Sequence, residues 1–330
     1  MPSTSLPASS TSPAPSLAPA ETRFAPSAEP TLEPAPNGVS GTWTSAPPLT
    51  YPRAAHAVVA TTDAVFVLAG TGNGRPVDEI ERFDGTAWMV VTQLPGEGLN
   101  APAAAALDGL IYLIGGFGTT TNVPAADVWT YDPARDEWSS IAPLPAPRGG
   151  HAAVVLDDRI HVLGGGNSTT TLAAHTVYDP ATDRWTEAAP LPRSEGSPAA
   201  TVLDGSIVAI GGRSGIEDFG EVDVYDPSTD TWTSGPAIPP RGTAGAAVRC
   251  GAIYLFGGES QSRATTLDDV LRLAPDGDRW QVANSMPTAR SYARAVQFDD
   301  AVLTVGGNTE ADPSHAGSGS TVVERFEVAC

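Results

Sequence analysis

A pair of glycines recurs six times and constrains the fold of this chain more than any other feature. Each pair follows an apolar run, as Gly115-Gly116 follows Leu110–Ile114. The second glycines of successive pairs lie 46 to 49 residues apart, and alanine replaces the first glycine of the first pair. The six positions are Ala69-Gly70, Gly115-Gly116, Gly164-Gly165, Gly211-Gly212, Gly257-Gly258 and Gly306-Gly307. A period of this length predicts six copies of one supersecondary unit.

Six tryptophans recur with nearly the same period. They are Trp43, Trp88, Trp138, Trp185, Trp232 and Trp280. In three copies a tyrosine precedes the tryptophan with six residues between them, as Tyr131 precedes Trp138. A double glycine after a strand, followed by this Tyr and Trp spacing, resembles the kelch repeat over roughly residues 40 to 328. The resemblance implies an all-β, six-bladed kelch-type β-propeller with four antiparallel strands per blade.

The two ends of the repeat region are complementary. Trp43 is typical of the fourth strand of a blade, but three strands are missing before it, and no tryptophan follows Phe326 in the last copy. We therefore predict that residues 40–46 complete the last blade and close the ring. Residues 1–38 are rich in Pro, Ser, Ala and Thr, which predicts a disordered linker. The expected domains are this linker, 1–38, and the propeller, 39–330.

The first strand of each predicted blade is rich in small residues. Ala103–Ala106 and the run Ala152-Ala153-Val154-Val155 are examples, and each is followed by a turn such as Asp108-Gly109. Alanine is a weak strand former. Its use here fits the innermost strands of a propeller, which crowd around a narrow channel.

The charge and the apolar content of the chain limit the classes of partner that it can bind. The net charge of −20 argues against nucleic acid. No apolar run approaches the length of about 20 residues that spans a bilayer. We expect a monomer without a cofactor. We also expect no metal site, because the five histidines form no recognisable ligand set. The linker would hold the propeller outside a bacterial cell or at its envelope, with a cytoplasmic location as the alternative.

Two cysteines permit a single disulfide. Cys250 is predicted in the turn after the inner strand of blade five, and Cys330 beyond the third strand of blade six. Counting strands at about 4.8 Å each separates them by nearly 10 Å, beyond the roughly 7 Å reach of a disulfide. We therefore expect no bridge unless the C-terminal tail bends back.

Loops on one face are the candidate binding surface, because loops on a rigid scaffold commonly carry function. The position seventeen residues before the second glycine is arginine in four blades, and arginines at this position of kelch relatives grip acidic ligands or bond carbonyls of the neighbouring blade. In blade four the position is Glu195, close to Arg193. Residues after the glycine pairs join the same face, and Arg213 and Glu259 could pair with each other. The candidate ligand-binding residues are Arg53, Arg148, Arg193, Glu195, Arg213, Arg241, Glu259 and Arg290.

Two functions remain open at this stage. The first is a binding module that recognises a protein, or a polar, acidic or sugar ligand, through these loops. The second is a carbohydrate-active enzyme resembling kelch-type sialate mutarotases or epimerases, with the carboxylates and arginines of the channel mouth in its site. The sequence assigns no catalytic residue, and we favour the binding module. A buried carboxyl flanked by arginine, with a raised pKa and a deep pocket, would favour the enzyme.

Overall fold

The computed structural model describes residues 30–36, 38–310 and 319–330. Most of the predicted linker therefore lies outside the described residues, as does most of the long loop after the sixth glycine pair. The regular elements of the described residues are β-strands. Among these residues, no helix is long and apolar enough to cross a membrane.

The strands form six antiparallel blades around a central channel, which confirms the predicted architecture. Two strands precede the first complete blade: β1 (Glu33–Pro34) and β2 (Thr42–Ser45). Blade one contains β3 (Ala57–Ala60), β4 (Val65–Leu68), β5 (Thr71–Gly72), β6 (Arg75–Pro76), β7 (Glu79–Phe83) and β8 (Trp88–Gln93). Blade two contains β9 (Leu99–Asn100), β10 (Ala103–Leu107), β11 (Leu110–Ile114), β12 (Phe117–Gly118), β13 (Val128–Asp132) and β14 (Glu137–Ser140).

The remaining blades repeat this plan, and two-residue strands again form small hairpins in some loops. Blade three contains β15 (Ala152–Leu156), β16 (Arg159–Leu163), β17 (His175–Asp179) and β18 (Arg184–Glu187). Blade four contains β19 (Ala199–Leu203), β20 (Ser206–Ile210), β21 (Arg213–Ser214), β22 (Glu217–Asp218), β23 (Val222–Asp226) and β24 (Thr231–Ser234). Blade five contains β25 (Gly245–Arg249), β26 (Ala252–Phe256), β27 (Glu259–Ser260), β28 (Thr265–Thr266), β29 (Val270–Leu273) and β30 (Trp280–Ala283), and blade six contains β31 (Arg294–Phe298), β32 (Ala301–Val305) and β33 (Val323–Glu327).

Blade six is completed by the N-terminal strand, as predicted. Strand β2 pairs antiparallel with β33, and Trp43 lies opposite Phe326 with ring centroids 4.8 Å apart. The Trp43 Nε1–H donates to the carbonyl of Asn284 in blade five at 2.9 Å. The closing strand is therefore anchored both to its own blade and to the neighbouring one.

The end of the predicted linker is part of a sheet. Strand β1 pairs in parallel with β30 and becomes a fifth strand of blade five. Ala35 N–H donates to Val282 O at 2.7 Å, and Leu32 packs against the core between blades four and five. The prediction of disorder does not hold for residues 33–34, because the outer edge of β30 offers unpaired backbone groups that a short strand can bind. Pro34, which has no N–H, is tolerated at such an edge.

The glycine pairs are required by the backbone. Gly70 has a φ of +88°, and a Cβ there would lie 2.6 Å from the carbonyl oxygen of Ala54. Ala69, where the other blades have glycine, adopts the same left-handed region with φ at 60°. The substitution keeps the shape of blade one at a cost of about 1–2 kcal/mol.

The repeated aromatic residues join neighbouring blades. Trp185 Nε1–H donates to Ala142 O of blade two at 2.8 Å. Tyr178 Oη–H donates at 2.8 Å to Asp183 Oδ1, which also accepts the N–H of Ala142 at 2.9 Å. The same three hydrogen bonds form at the next junction among Tyr225, Asp230, Trp232 and Ala189.

The cysteine prediction is wrong. Cys250 and Cys330 form a disulfide, with Cα atoms 5.3 Å apart. Counting strands within one blade ignored the way blades pack face to face. Val328, beyond the third strand of blade six, shares a core cluster with Ala247 and Ala252 of the two inner strands of blade five. The tail after β33 therefore passes over Cys250, whose Sγ lies 4.0 Å from the carbonyl oxygen of Val328.

Candidate functional site on the loop face

A ring of backbone hydrogen bonds frames the channel on the loop face, by which we mean the face formed by the loops before the innermost strands and after the glycine pairs. One residue per blade, fifteen before the second glycine, has a left-handed φ of 48° to 63°. These residues, the mouth ring, are Ala55, Ala101, Gly150, Ser197, Thr243 and Tyr292. Each N–H from Ala101 to Tyr292 donates to the carbonyl of the preceding member at 2.6–3.2 Å. The mouth is therefore a rigid collar.

Tyr292 fills this collar. Its side chain is 4% exposed and packs with Ala54, Ala55 and Ala101 of blades one and two. It also reaches blade four, where Ser197 hydrogen-bonds its hydroxyl and the Arg213 guanidinium carbon lies 5.9 Å from its ring centroid. Burial raises the pKa of Tyr292 to about 12, so the phenol stays neutral. The Tyr292 side chain is therefore a buried part of the mouth ring that contacts blades one, two and four.

The four arginines seventeen residues before the second glycine are buried inside their blades. Arg53, Arg148, Arg241 and Arg290 each donate to the carbonyl of the residue sixteen positions later in the same blade, at 2.9–3.4 Å. Each also binds an acceptor on the third strand or at its start: Glu81, Thr176, Asp269 and Glu324 respectively. At 2% exposure or less, these guanidinium groups are structural. They bind their own blade and not the neighbouring one, and they are not presented to a ligand.

Blade four breaks the pattern of buried arginines. Glu195 occupies the arginine position and Asp223 occupies the acceptor position, so two carboxyl groups meet. Arg193 enters between them, with its Nη1 2.7 Å from Asp223 Oδ2 and 3.4 Å from Glu195 Oε2. Burial raises the pKa of Glu195 to about 8, although the charge of Arg193 opposes this. Burial also raises the pKa of Asp223. The structure therefore brings Arg193 and Glu195 together as one group.

Arg213 and Glu259 form a second group on the loop face. Both side chains are buried, and they are joined by an ion pair between Arg213 Nη2 and Glu259 Oε1, as the sequence suggested. Gln261 Nε2 donates to the same carboxylate oxygen at 3.1 Å. The Gln261 N–H donates to Asp218 Oδ2 at 2.6 Å, which links blade five to the hairpin of blade four.

That hairpin, β21–β22, carries an apolar tip. Arg213 pairs with Asp218 and Ser214 pairs with Glu217, which leaves Gly215 and Ile216 at the turn. Ile216 is 85% exposed. It was not recognised from the sequence, where a single isoleucine in a loop gives no signal. On the same face Val123, in the corresponding loop of blade two, is also exposed.

Arg294 is a second residue that sequence analysis missed. It lies thirteen residues before the second glycine, where the other five blades have alanine or glycine. Its side chain lines a cavity of about 120 Å³ in the channel, bounded otherwise mainly by small residues of the innermost strands. Nε–H donates to the carbonyl of His56 at 3.0 Å. Comparing the six copies position by position would have revealed this substitution.

Two histidines of blade three contact each other inside the scaffold. His161 Nδ1 and His175 Nε2 are 2.9 Å apart, and burial lowers the pKa of both to about 4. One neutral ring therefore donates to the other. Burial lowers the pKa of His151 to about 3. Within the described ranges, no group of three or more His, Cys, Asp or Glu residues is placed to hold a metal ion.

The repeats and the six blades define this protein as a kelch-repeat β-propeller. A family model described as Attractin/LZTR1 beta-propeller matches residues 111–330, two thirds of the chain. The chain belongs to this family.

Known proteins similar to this chain carry the same fold in different settings. Human Kelch-like protein 23 is 28% identical over 256 residues, which is 77% of this chain and 37% of the relative. N-acetylneuraminate epimerase of Haemophilus influenzae is 29% identical over 110 residues, or 32% of this chain and 29% of that one. The chain thus spans well under two thirds of the length of either relative. The solved structure of YjhT superposes with a TM-score of 0.75 at 17% identity, covering 86% of this chain and 97% of that one.

Proposed function

We propose that this propeller is a binding module that recognises a protein partner through its loop face, with Ile216 as the central anchor. The observation that carries the proposal is the 85% exposure of a branched apolar side chain at the tip of a two-residue hairpin. Apolar anchors that insert into a partner's pocket supply much of the binding energy in protein interfaces. An isoleucine held in water at a hairpin tip has no role within the fold.

The hairpin is held in place before a partner arrives. The ion pair of Arg213 with Glu259 fixes one strand, and the bond from Gln261 to Asp218 fixes the other. A rigid loop loses little conformational freedom on binding, so more of the contact energy appears as affinity.

The charges around Ile216 favour a basic partner. Glu217 and Glu221 are exposed beside it, and the whole chain has a net charge of −20. The arginine positions suggested an acidic ligand. Their guanidinium groups are buried, so they do not support that expectation. We therefore propose a partner whose surface has an apolar pocket bordered by lysines or arginines.

Affinity capture with matched variants tests this proposal. Ile216→Asp should abolish recovery of the partner, since it places a charge where an apolar contact forms. Val90→Asp is the control, because Val90 is also an exposed apolar residue but lies on the outermost strand β8 of blade one. The proposal fails if every protein captured by the parent chain is captured equally by Ile216→Asp.

A carbohydrate-active enzyme is the second candidate, and one observation favours it. Glu195 is buried, flanked by Arg193, and has a pKa raised to about 8, which suits a group that gives or takes a proton near neutral pH. The epimerase relative acts on N-acetylneuraminate by name. Proton NMR of the N-acetylneuraminate anomers tests this: accelerated exchange by the parent chain, lost in Glu195→Gln, would support catalysis. Equal exchange with and without protein would remove this candidate.

The location of the protein remains part of the proposal. The bridge between Cys250 and Cys330 supports an oxidising compartment, because disulfides persist outside the cytosol. We propose that the segment before residue 30 displays the propeller at the outside of the cell, with the loop face available to other proteins. Fractionation of cells producing the full chain, with protease protection, tests this placement.

A further inference from the structure

One position at the end of the innermost strands departs from the pattern of the repeat. It lies nine residues before the second glycine and is Leu107, Leu156, Leu203 and Phe298 in blades two, three, four and six. Each of these side chains shares a core cluster with an aromatic residue of the following blade, as Leu107 does with Tyr178. The position is the small polar Thr61 in blade one and the charged Arg249 in blade five. A charged side chain therefore replaces the apolar residue that closes this end of the blade junction.

A cavity of about 590 Å³ lies where that apolar residue is missing. It is between blades five and six, at the turns opposite the loop face. Arg249 lines it together with Asn284, Asp300, Glu327 and Val328, and Thr42 of the closing strand completes the wall. Pockets that hold small ligands commonly measure about 300–1,000 Å³. The cavity is large enough for a molecule of several residues.

The charges in the cavity are incompletely matched. Arg249 makes no hydrogen bond or ion pair with any described residue, and its Nε is buried without a partner. Asp300 and Glu327 both pair with the single guanidinium of Arg325. The cavity is thus bordered by the unpaired guanidinium group of Arg249 and by two carboxylates that share one cation, which leaves one negative charge in excess. Arg249 is partly buried, whereas the Asp300 and Glu327 side chains are 75% and 44% exposed, so a ligand that enters the cavity can reach charges of both signs.

We propose that this cavity, which we call the seam pocket, binds a small zwitterion, such as an amino acid or a short peptide. Its carboxylate would pair with the guanidinium of Arg249, and its ammonium group would face Asp300 and Glu327. Binding here is independent of the loop face, since none of the residues involved belongs to that face. The disulfide between Cys250 and Cys330 holds the tail that carries Val328, so it maintains one wall of the seam pocket.

Three related dipeptides test the proposal by calorimetric titration of the full chain. Alanyl-alanine has both charges, its C-terminal amide lacks the carboxylate, and its N-acetyl derivative lacks the ammonium group. We expect alanyl-alanine to bind about two- to fivefold more tightly than either derivative, since an ion pair with a partly exposed group contributes up to about that factor.

Arg249→Leu is the decisive variant, because it installs the residue that three other blades already have and should fold normally. It should remove the preference for alanyl-alanine over the amide. Asp300→Asn should remove the preference over the N-acetyl derivative. Loop-face variant Ile216→Asp should change neither preference. The proposal is overturned if alanyl-alanine shows no binding at millimolar concentration, or if Arg249→Leu binds it as tightly as the parent chain.

Discussion

Glu195 and Asp223 share the guanidinium group of Arg193, whose Nη1 lies 3.4 Å from one carboxyl group and 2.7 Å from the other. In blade five the equivalent positions hold Arg241 and Asp269, which form two hydrogen bonds at 2.7 and 2.8 Å. Blade five therefore has one arginine paired with one aspartate, whereas blade four has two carboxyl groups and one arginine at the corresponding place. Because a single cation cannot neutralise both carboxylates in a buried site, one of them retains its proton near neutral pH.

The first prediction concerns the pH dependence of stability. The pKa of Glu195 is about 8 in the folded protein and near 4.3 in an unfolded chain. Between these values the folded state holds a proton that the unfolded state has lost, so the free energy of unfolding falls as the pH rises. The four buried histidines act in the opposite direction. Burial lowers their pKa values, and the unfolded imidazoles lose their remaining protons between pH 6.5 and 8, which stabilises the folded state by about 0.4 kcal/mol for each histidine. From pH 6.5 to 8 the Glu195 contribution alone falls by about 2 kcal/mol, so we expect the stability of the parent chain in urea denaturation to stay nearly level, because the histidine contribution offsets this loss.

Glu195→Gln provides the control for this pH effect. The variant keeps the shape of the side chain but cannot titrate, so only the histidine contribution remains and its stability should rise by about 1–2 kcal/mol from pH 6.5 to 8 while that of the parent chain stays nearly level. Parallel profiles for the variant and the parent chain over this interval would contradict the assignment.

The second prediction compares two of the buried arginines. Arg290→Ala removes bonds to three carbonyl groups and leaves Glu324 as a buried charge without its cation. We expect a loss of about 3–5 kcal/mol. Arg148→Ala leaves only the neutral hydroxyl of Thr176 and two carbonyls without a partner, so its loss should be about 1–3 kcal/mol. Chemical denaturation at pH 7 measures both, and equal losses would show that the carboxylate is not the deciding factor.

The third prediction concerns the disulfide. Cys250 and Cys330 are 80 residues apart, and a bridge closing a loop of that length stabilises by about 4 kcal/mol in the chain-entropy description. Cys330→Ser should lower the thermal midpoint, and adding a reductant should bring the parent chain to the same value. A reductant that leaves the parent midpoint unchanged, with reduction verified by mass spectrometry, would contradict this expectation.

The fourth prediction concerns ring closure. A chain beginning at residue 47 lacks β2 and exposes the edge of β33, so we expect blade six to open and the protein to aggregate. A chain beginning at residue 30 keeps both β1 and β2 and should retain the midpoint of the full chain. Size-exclusion chromatography and thermal unfolding of the two truncated proteins give the comparison. Equal behaviour of both would mean that β2 is dispensable.

Much of the fold could be predicted because its determinants are local and periodic. The glycine pairs set the blade count, and the displaced Trp43 predicts the closing strand. The positions of Arg213 and Glu259, one repeat apart, were enough to suggest their ion pair. The role of the arginine positions was harder to assign. A repeat position does not say whether a guanidinium points into its blade or toward solvent.

The sequence by itself determined the number of blades, the way the ring closes and the aromatic junctions, since each follows from residues at fixed spacing along the chain. The tertiary structure alone decided which charged residues are buried and which face a cavity. It also brought Cys330 to Cys250 and placed Tyr292 in the mouth ring. The physical reason is that the disulfide, the Tyr292 contacts and the walls of the seam pocket join residues of different blades. Their distances depend on the twist and stacking of whole sheets, which no spacing within one repeat encodes.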